Sequence, residues 1–303
     1  MEPVGYNNMK KLVEYMPRLL RRVSAKVKKP IVILLDSLDQ LSAKDDSYLL
    51  NWLPTVLPSN LRMIVSTLPR EHKILDTLKK LFPDTTNFVE VPSLPDKTCF
   101  EIIDKYLAKR KSCHTNSKNK LVSAFRKCPG PLFLKLILNE AVKWNSYTPI
   151  IEVVLKDSVQ GAINLLFENM EKKFGQVLIS HALGYITVAE YGISDLEWED
   201  VLSCDDEVLD DIYRYHDPPV DGIVQMPPVL LARIRYDLKE YIVERRSFGK
   251  TTLNWYHRQF TETAHERYAT GSAGNKLHKV LAQYFIANDG IKGTLHFTDE
   301  EKQ

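Results

Sequence analysis

Residues 31–40 read "IVILLDSLDQ", five apolar residues followed by two aspartates three positions apart. A run apolar on both faces is what a buried parallel strand requires. The carboxyl end of such a strand is where open α/β proteins place their ligand crevice. Asp36 stands at that end, where a carboxylate can hold Mg²⁺ through water. Asp39, one turn later, is placed to polarise an attacking water. An aspartate closing a strand also serves as the cap of the next helix. The residues alone leave both readings open.

Outward from this stretch the pattern alternates. Upstream, Met9, Leu12, Val13, Met16, Leu19, Leu20 and Val23 recur at helical spacing over 8–27, with Pro17 marking a break near the middle. Downstream the expectation is a helix over 46–56, a second buried strand "LRMIVST", a helix over 71–81 and a third strand "NFVEV" at 87–91. Strand–helix–strand–helix–strand within roughly 60 residues predicts a parallel α/β arrangement.

After "VPSLPD" the alternation stops. Helices are expected over 96–110, with Asp96 as N-cap, and over 117–127, 131–144, 150–156 and 161–174. Further helices are expected over 176–189, 194–203, 207–215 and 228–238. Two short strands follow, "EYIVERR" and "TTLNWYH", joined at "SFGK". Helices leading into a two-stranded wing predict a winged helix. Helices over 258–268 and 276–287 lead out to a polar, frayed end. The fold class is therefore α/β followed by all-α.

Composition narrows the function classes. The 303 residues carry 41 basic and 39 acidic side chains, a net charge of +2, which disfavours a dedicated nucleic-acid or membrane-surface binder. Basic residues do gather near the wing, but Asp237, Glu240 and Glu244 interleave with them. Cys99, Cys113, Cys128 and Cys204 form no CxxC pair and, with the histidines, no zinc spacing, so free thiols in a reducing compartment are expected. No apolar run reaches transmembrane length and no secretion signal opens the chain, which points to a cytoplasmic protein.

A nucleotide-binding strand of this kind normally follows a glycine-rich phosphate loop. The only glycine before Ile31 is Gly5, and nothing there matches G-x-x-x-x-G-K-[ST]. "FGKTT" at 248–252 has Glu244 where the first glycine belongs and is better read as the wing turn, with Gly249 supplying a positive φ.

Four ordered stretches carry a resemblance: "PIVILLDSLDQLS", "WLPTVLPSNLRMIVSTLP", "CPGPLFLKLIL" and "WYHRQFTETAHERY". Together, over residues 9–287, they resemble STAND-class signalling ATPases, most closely the NACHT and WD-repeat domain-containing proteins and their nephrocystin-3-like relatives. The resemblance implies a partial P-loop NTPase core with Walker B and sensor-1 strands over 1–94. It implies a small helical domain over 95–160, a winged helix over 161–268, and the start of a further helical region over 269–303.

By that resemblance Asp36 is the Mg²⁺-associated aspartate and Asp39 the second, catalytic acidic position. Gln40 stands where many relatives have Glu, and an amide cannot act as a general base. Leu68 replaces the sensor arginine, with Arg70 two positions late. Pro131 matches a proline that packs on adenine, although a first-turn proline needs no such role. His257 matches the winged-helix histidine that contacts the β-phosphate of ADP, although a histidine beside aromatic residues is also an ordinary packed side chain.

The implied cofactors in an intact relative are ATP or ADP with Mg²⁺. In this chain nucleotide binding is expected to be weak or absent, since loop amides and the loop lysine make most phosphate contacts. The expected function is that of a signalling or scaffold fragment acting through other protein chains, self-association included, rather than an enzyme. The alternatives are a truncated but active ADP/ATP-switched ATPase and, less favoured, a winged-helix nucleic-acid binder.

Overall fold

A computed structural model describes residues 9–27, 29–41, 44–108, 115–144, 153–215, 224–247 and 249–287. The chain divides into two compact units, Met1–Pro92 and Ser93–Gln303.

The first unit opens with helix α1, Met9–Lys26, which runs unbroken through Pro17. The expected break does not occur. Proline removes only the one backbone bond to the Val13 carbonyl, and the helix continues through it, with Arg21 Nε–H also donating to the Pro17 carbonyl at 3.3 Å. Strands β1, Ile31–Leu35, and β2, Leu61–Val65, pair in parallel with Ile31 opposite Leu61 and Leu35 opposite Val65. Helix α2 spans Ile74–Leu81. One sheet face closes a small core in which Leu38, Leu50, Leu53, Ile74 and Leu78 are buried.

Two further expectations in this unit are corrected. In place of a helix over 46–56 there is a 3-10 helix, Lys44–Leu49, followed by turns. Leu50 stands in the left-handed region at φ 53, which ends the winding, and Pro54 disfavours helical geometry at Leu53. The third strand is also missing, because the sheet among the described residues contains β1 and β2 alone. Asp84 caps a 3-10 turn, Thr85–Asn87, accepting from the Thr86 amide at 2.9 Å. Phe88 then packs inward while Val89 and Val91 face solvent without a ladder.

The second unit is mainly helical. Helices α3 (Asp96–Ala108), α4 (Thr115–Lys127) and α5 (Pro131–Ala141) enclose a core of Ile103, Leu121, Phe125, Phe133, Leu134 and Ile137. Asp96 is the first helical residue rather than the cap before it, and it accepts from Arg126 Nε at 3.0 Å. The expected helix over 150–156 is corrected where it is described. Residues 153–156 are non-helical, since β-branched Val153 and Val154 are poor helix formers and Ser158 starts the next helix by accepting from the Gly161 amide. Residues 150–152, Cys113, Phe248 and the expected frayed end lie outside the described residues.

Helices α6 (Val159–Phe174), α7 (Gln176–Val188), α8 (Asp195–Ser203), α9 (Asp206–Tyr213) and α10 (Pro228–Leu238) lead to the wing. Strands β3 (Ile242–Ser247) and β4 (Lys250–Trp255) pair antiparallel, and Gly249 takes φ 80 in their turn. Ile193 bridges to Leu253, adding a third, single-residue rung that alternation could not reveal. Gly192 permits this at φ 79, for a Cβ there would stand 2.6 Å from the Leu253 carbonyl oxygen. Helices α11 (Arg258–Tyr268) and α12 (Gly271–Ala287) complete the unit. Its core sets the aromatic side chains of Phe167, Tyr185, Trp198, Trp255 and Phe260 among aliphatic ones, and Trp198 Nε1 donates to the Ala182 carbonyl at 3.0 Å. This winged helix is the class of domain the sequence pattern indicated.

Candidate functional site

The strand ends of the first unit assemble as the sequence indicated, but their groups are already engaged. Ser37, between Asp36 and Leu38, adopts φ 58, an uncommon conformation for a residue other than glycine. Its amide donates to Ser66 Oγ at 2.7 Å, and the Ser66 hydroxyl in turn donates to Asp36 Oδ1. Asp36 remains exposed. Asp39 is only 5% exposed and accepts the Leu68 amide at 3.1 Å, so it fixes the loop that follows β2. Arg70 is exposed on the same loop.

The implied Mg²⁺–nucleotide group can be tested against these residues. Mg²⁺ is usually held by one or two carboxylates, several waters and substrate phosphates. The exposed Asp36 suits such a hydrated ion. No cluster of three or more His, Cys, Asp or Glu fit to hold a metal occurs among the described residues. Nor do the residues from 31 to 41 supply a glycine-rich cradle of backbone amides for phosphate. The fit is therefore partial, and no reaction step follows from it.

In the second unit, Pro131 occupies the first turn of α5 and is exposed. One turn on, Lys135 Nζ donates to the Glu240 carbonyl at 3.0 Å and lies 4.5 Å from the centre of the Tyr256 ring. Tyr256 directly precedes His257, so the Lys135 side chain of α5 reaches the residue before the N-cap of α11. Sequence reasoning missed Lys135; its i+4 spacing from Pro131 was the available signal.

His257 is the N-cap of α11, its Nδ1 accepting the Gln259 amide at 3.2 Å. Partial desolvation, then the neighbouring Arg258 guanidinium, holds its pKa below 6.5. The imidazole is thus kept neutral with Nδ1 as acceptor, which is the form that capping needs.

Two further polar centres carry weight in this unit. Asp205 lies in the α8–α9 junction, 3% exposed, where it accepts from the Tyr185 hydroxyl and stands 2.5 Å from His181 Nδ1. Arg267 forks onto Glu171 at 3.0 and 2.8 Å, tying α11 to α6. An open groove of about 1050 Å³ lies between the α6–α7 corner, α9 and α10, lined in part by Phe174, Leu178, Ile212, Val229, Arg233 and Tyr236. None of the expected site residues lines it.

Two of the basic residues near the wing, Arg235 and Lys250, are paired with carboxylates. Arg235 pairs with Asp195 and, at 2.6 Å, with Glu244, while Lys250 reaches Glu197 at 3.0 Å. Cys99, Cys128 and Cys204 are free thiols, and burial followed by the nearby Asp96 pushes the Cys99 thiol up to about 11. No helix among the described residues is long and apolar enough to cross a membrane.

The class that the second unit defines is a winged-helix protein, and residues 146–276 match the family described as "NWD1-like, winged helix-turn-helix domain". Beyond that domain, the chain is 36% identical over 262 residues to mouse (Mus musculus) NACHT and WD repeat domain-containing protein 2, covering 86% of this chain. It is 35% identical over 276 residues to human (Homo sapiens) NACHT domain- and WD repeat-containing protein 1, covering 91% of this chain. The chain is therefore a homologue, over most of its length, of one segment of the NACHT and WD repeat domain-containing proteins. It spans about 15% of the first of these relatives and 18% of the second.

Proposed function

We propose that these residues form a contact-making segment of a NACHT-type signalling or scaffold protein. It works through association with other protein chains, self-association included, and not as an enzyme. Nucleotide contact is weak or absent, and the setting is cytoplasmic, a placement that the free thiols support.

One observation carries this reading. On one face of the β1–β2 pair, Val32, Leu34 and Ile64 are 57%, 69% and 58% exposed, while the other face closes the small core. Parallel sheets are stable when both faces are covered. Exposed apolar patches of this kind characterise contact surfaces. The burial of Asp39 against the Leu68 amide and the capping role of His257 support the weak-nucleotide part of the reading.

A second reading is an ADP/ATP-switched ATPase whose phosphate loop lies outside these residues, and the exposed Asp36 at the end of β1 favours it. Pairing of Arg235 and Lys250 with carboxylates argues against a nucleic-acid surface, which needs unneutralised cations.

The test combines titration of fluorescent ADP and ATP with sedimentation across a concentration series. Concentration-dependent association, lost in Leu34→Asp, together with no nucleotide binding at millimolar levels, upholds the proposal. Nucleotide binding weakened by both Asp36→Ala and His257→Ala transfers the chain to the switched-ATPase reading.

A further inference from the structure

We propose that Ser24 is a phosphorylation site for an arginine-directed serine/threonine protein kinase, and that its phosphate detaches α1 from β2. Residues 20–25 read Leu-Arg-Arg-Val-Ser-Ala, and this is the one place in the chain where an Arg-Arg pair stands three and two positions before a Ser or Thr. Two guanidinium groups at fixed spacing are what an acidic substrate groove selects through charge-assisted, bidentate pairing. Arg21, Arg22, Val23 and Ala25 are exposed around the half-buried serine.

The geometry gives the modification a consequence. Ser24 lies in the last turn of α1, and its hydroxyl donates to Asn60 Oδ1. Asn60 Nδ2 returns to the Ser24 carbonyl at 3.2 Å and to the Val27 carbonyl at 2.9 Å. The Asn60 carbonyl also accepts the Ile31 amide at 2.8 Å, so one residue ties the end of α1 to the start of both strands. No described side chain of α1 belongs to the three buried core clusters, and Leu19 and Val23 stay exposed. Leu12, Val13, Met16 and Leu20 of α1 are half-buried, so the tether fixes chiefly its carboxyl end; local opening of that last turn presents Ser24 in the extended form a kinase binds.

In the transfer, Ser24 Oγ attacks the γ-phosphorus of kinase-bound Mg·ATP. The Oγ–P bond forms as the bond from the γ-phosphorus to the β–γ bridging oxygen breaks. ADP leaves, and the hydroxyl proton passes to the carboxylate base of the kinase. The phosphoester no longer has a hydrogen to donate to Asn60. It also places about two negative charges at the carboxyl end of a helix, where the macrodipole repels them. Both effects push α1 off β2.

The purified chain, incubated with an Arg-directed serine kinase and labelled ATP, tests this by phosphopeptide mapping and hydrogen exchange. One phosphate is expected on Ser24, absent in Ser24→Ala and slowed at least about tenfold when Arg21 and Arg22 are both alanine. Asn60→Ala should speed incorporation about fivefold, because it removes the tether without touching the recognition residues. The phosphorylated chain should exchange faster over 18–27 than the unmodified one. Incorporation that survives Ser24→Ala, a rate indifferent to Asn60→Ala, or unchanged exchange in α1 after phosphorylation would each overturn the proposal.

Discussion

Tyr185 on α7 donates its hydroxyl to Asp205 Oδ2 in the α8–α9 junction, and that carboxylate is almost fully buried. His181 Nδ1 meets the same oxygen at 2.5 Å, and Glu207 stands 3.6 Å from the other ring nitrogen. A residue at the N-cap of α9 would ordinarily bond its own helix. Asp205 makes no such side-chain cap and instead pins two helices onto a third.

Removal of that carboxylate should be costly. Asp205→Ala leaves the Tyr185 hydroxyl and a His181 nitrogen inside the protein without their acceptor, a loss of about 1–3 kcal/mol for each unsatisfied group. Urea unfolding followed by tryptophan fluorescence would register it, since Trp198 lies in the same core. An unchanged midpoint would show that the cluster contributes nothing net.

The same pair sets a pH dependence. Burial alone would raise the Asp205 pKa, but hydrogen bonds from His181 and then Tyr185 hold it below 3.8. The unfolded chain therefore binds the proton more readily, so the contribution is fully present above pH 3.8 and is lost as pH falls through the lower folded value. Burial, then Asp205, raises the Tyr185 phenol above 10. That contribution is complete below pH 10 and is lost as the folded phenol ionises. Stability of Asp205→Asn should accordingly respond less to acid below pH 4 than that of the parent chain.

Gly192→Ala tests the third rung of the wing. The new Cβ would meet Asn254 and the Leu253 carbonyl while the backbone stays at φ 79. Left-handed strain and overpacking together predict a loss of about 2–4 kcal/mol. Amide exchange at Ile193 and Leu253, which bond each other at 3.3 and 2.8 Å, should accelerate in step. Retained protection at both amides would mean that the rung does not depend on glycine.

Much of this architecture was legible from residue type. The expected helix over 228–238 was recovered because Pro228 fixes its first turn. Gly249 marked the wing turn for the same kind of local reason. What escaped was long-range. Leu50 carries no mark of a left-handed backbone, so a helix was expected across it. Ile193 makes a strand of one residue, below the reach of any periodicity. Asp36 and Asp39 were singled out by their place after the strand, and the structure puts them at the end of β1. The use of Asp39 by the Leu68 amide, 29 positions away, depends on how two strand ends meet.

Leu34→Asp isolates the exposed sheet face from folding. Leu34 is 69% exposed, so its replacement should change monomer stability by no more than about 0.5 kcal/mol. Association should nevertheless fall, as judged by light scattering over a dilution series. A large drop in melting temperature would instead mean that this face is packed in the folded chain.

His257 offers the sharpest separation of structure from ligand chemistry. As N-cap of α11 its ring accepts the Gln259 amide, and His257→Ala should cost about 1 kcal/mol. Its folded pKa is depressed, so this contribution is intact above pH 6.5 and declines as pH falls through the lower folded value. Asparagine also caps well, and His257→Asn should restore thermal stability at pH 7.5 while removing the dependence between pH 7 and 5. A nucleotide contact through the imidazole would respond differently, because the capping substitute cannot reproduce a ring nitrogen directed at phosphate. Recovery of stability in His257→Asn, with nucleotide titrations unchanged from the parent, assigns the residue to the helix. A variant restored in stability yet weakened in ADP binding assigns it to the ligand.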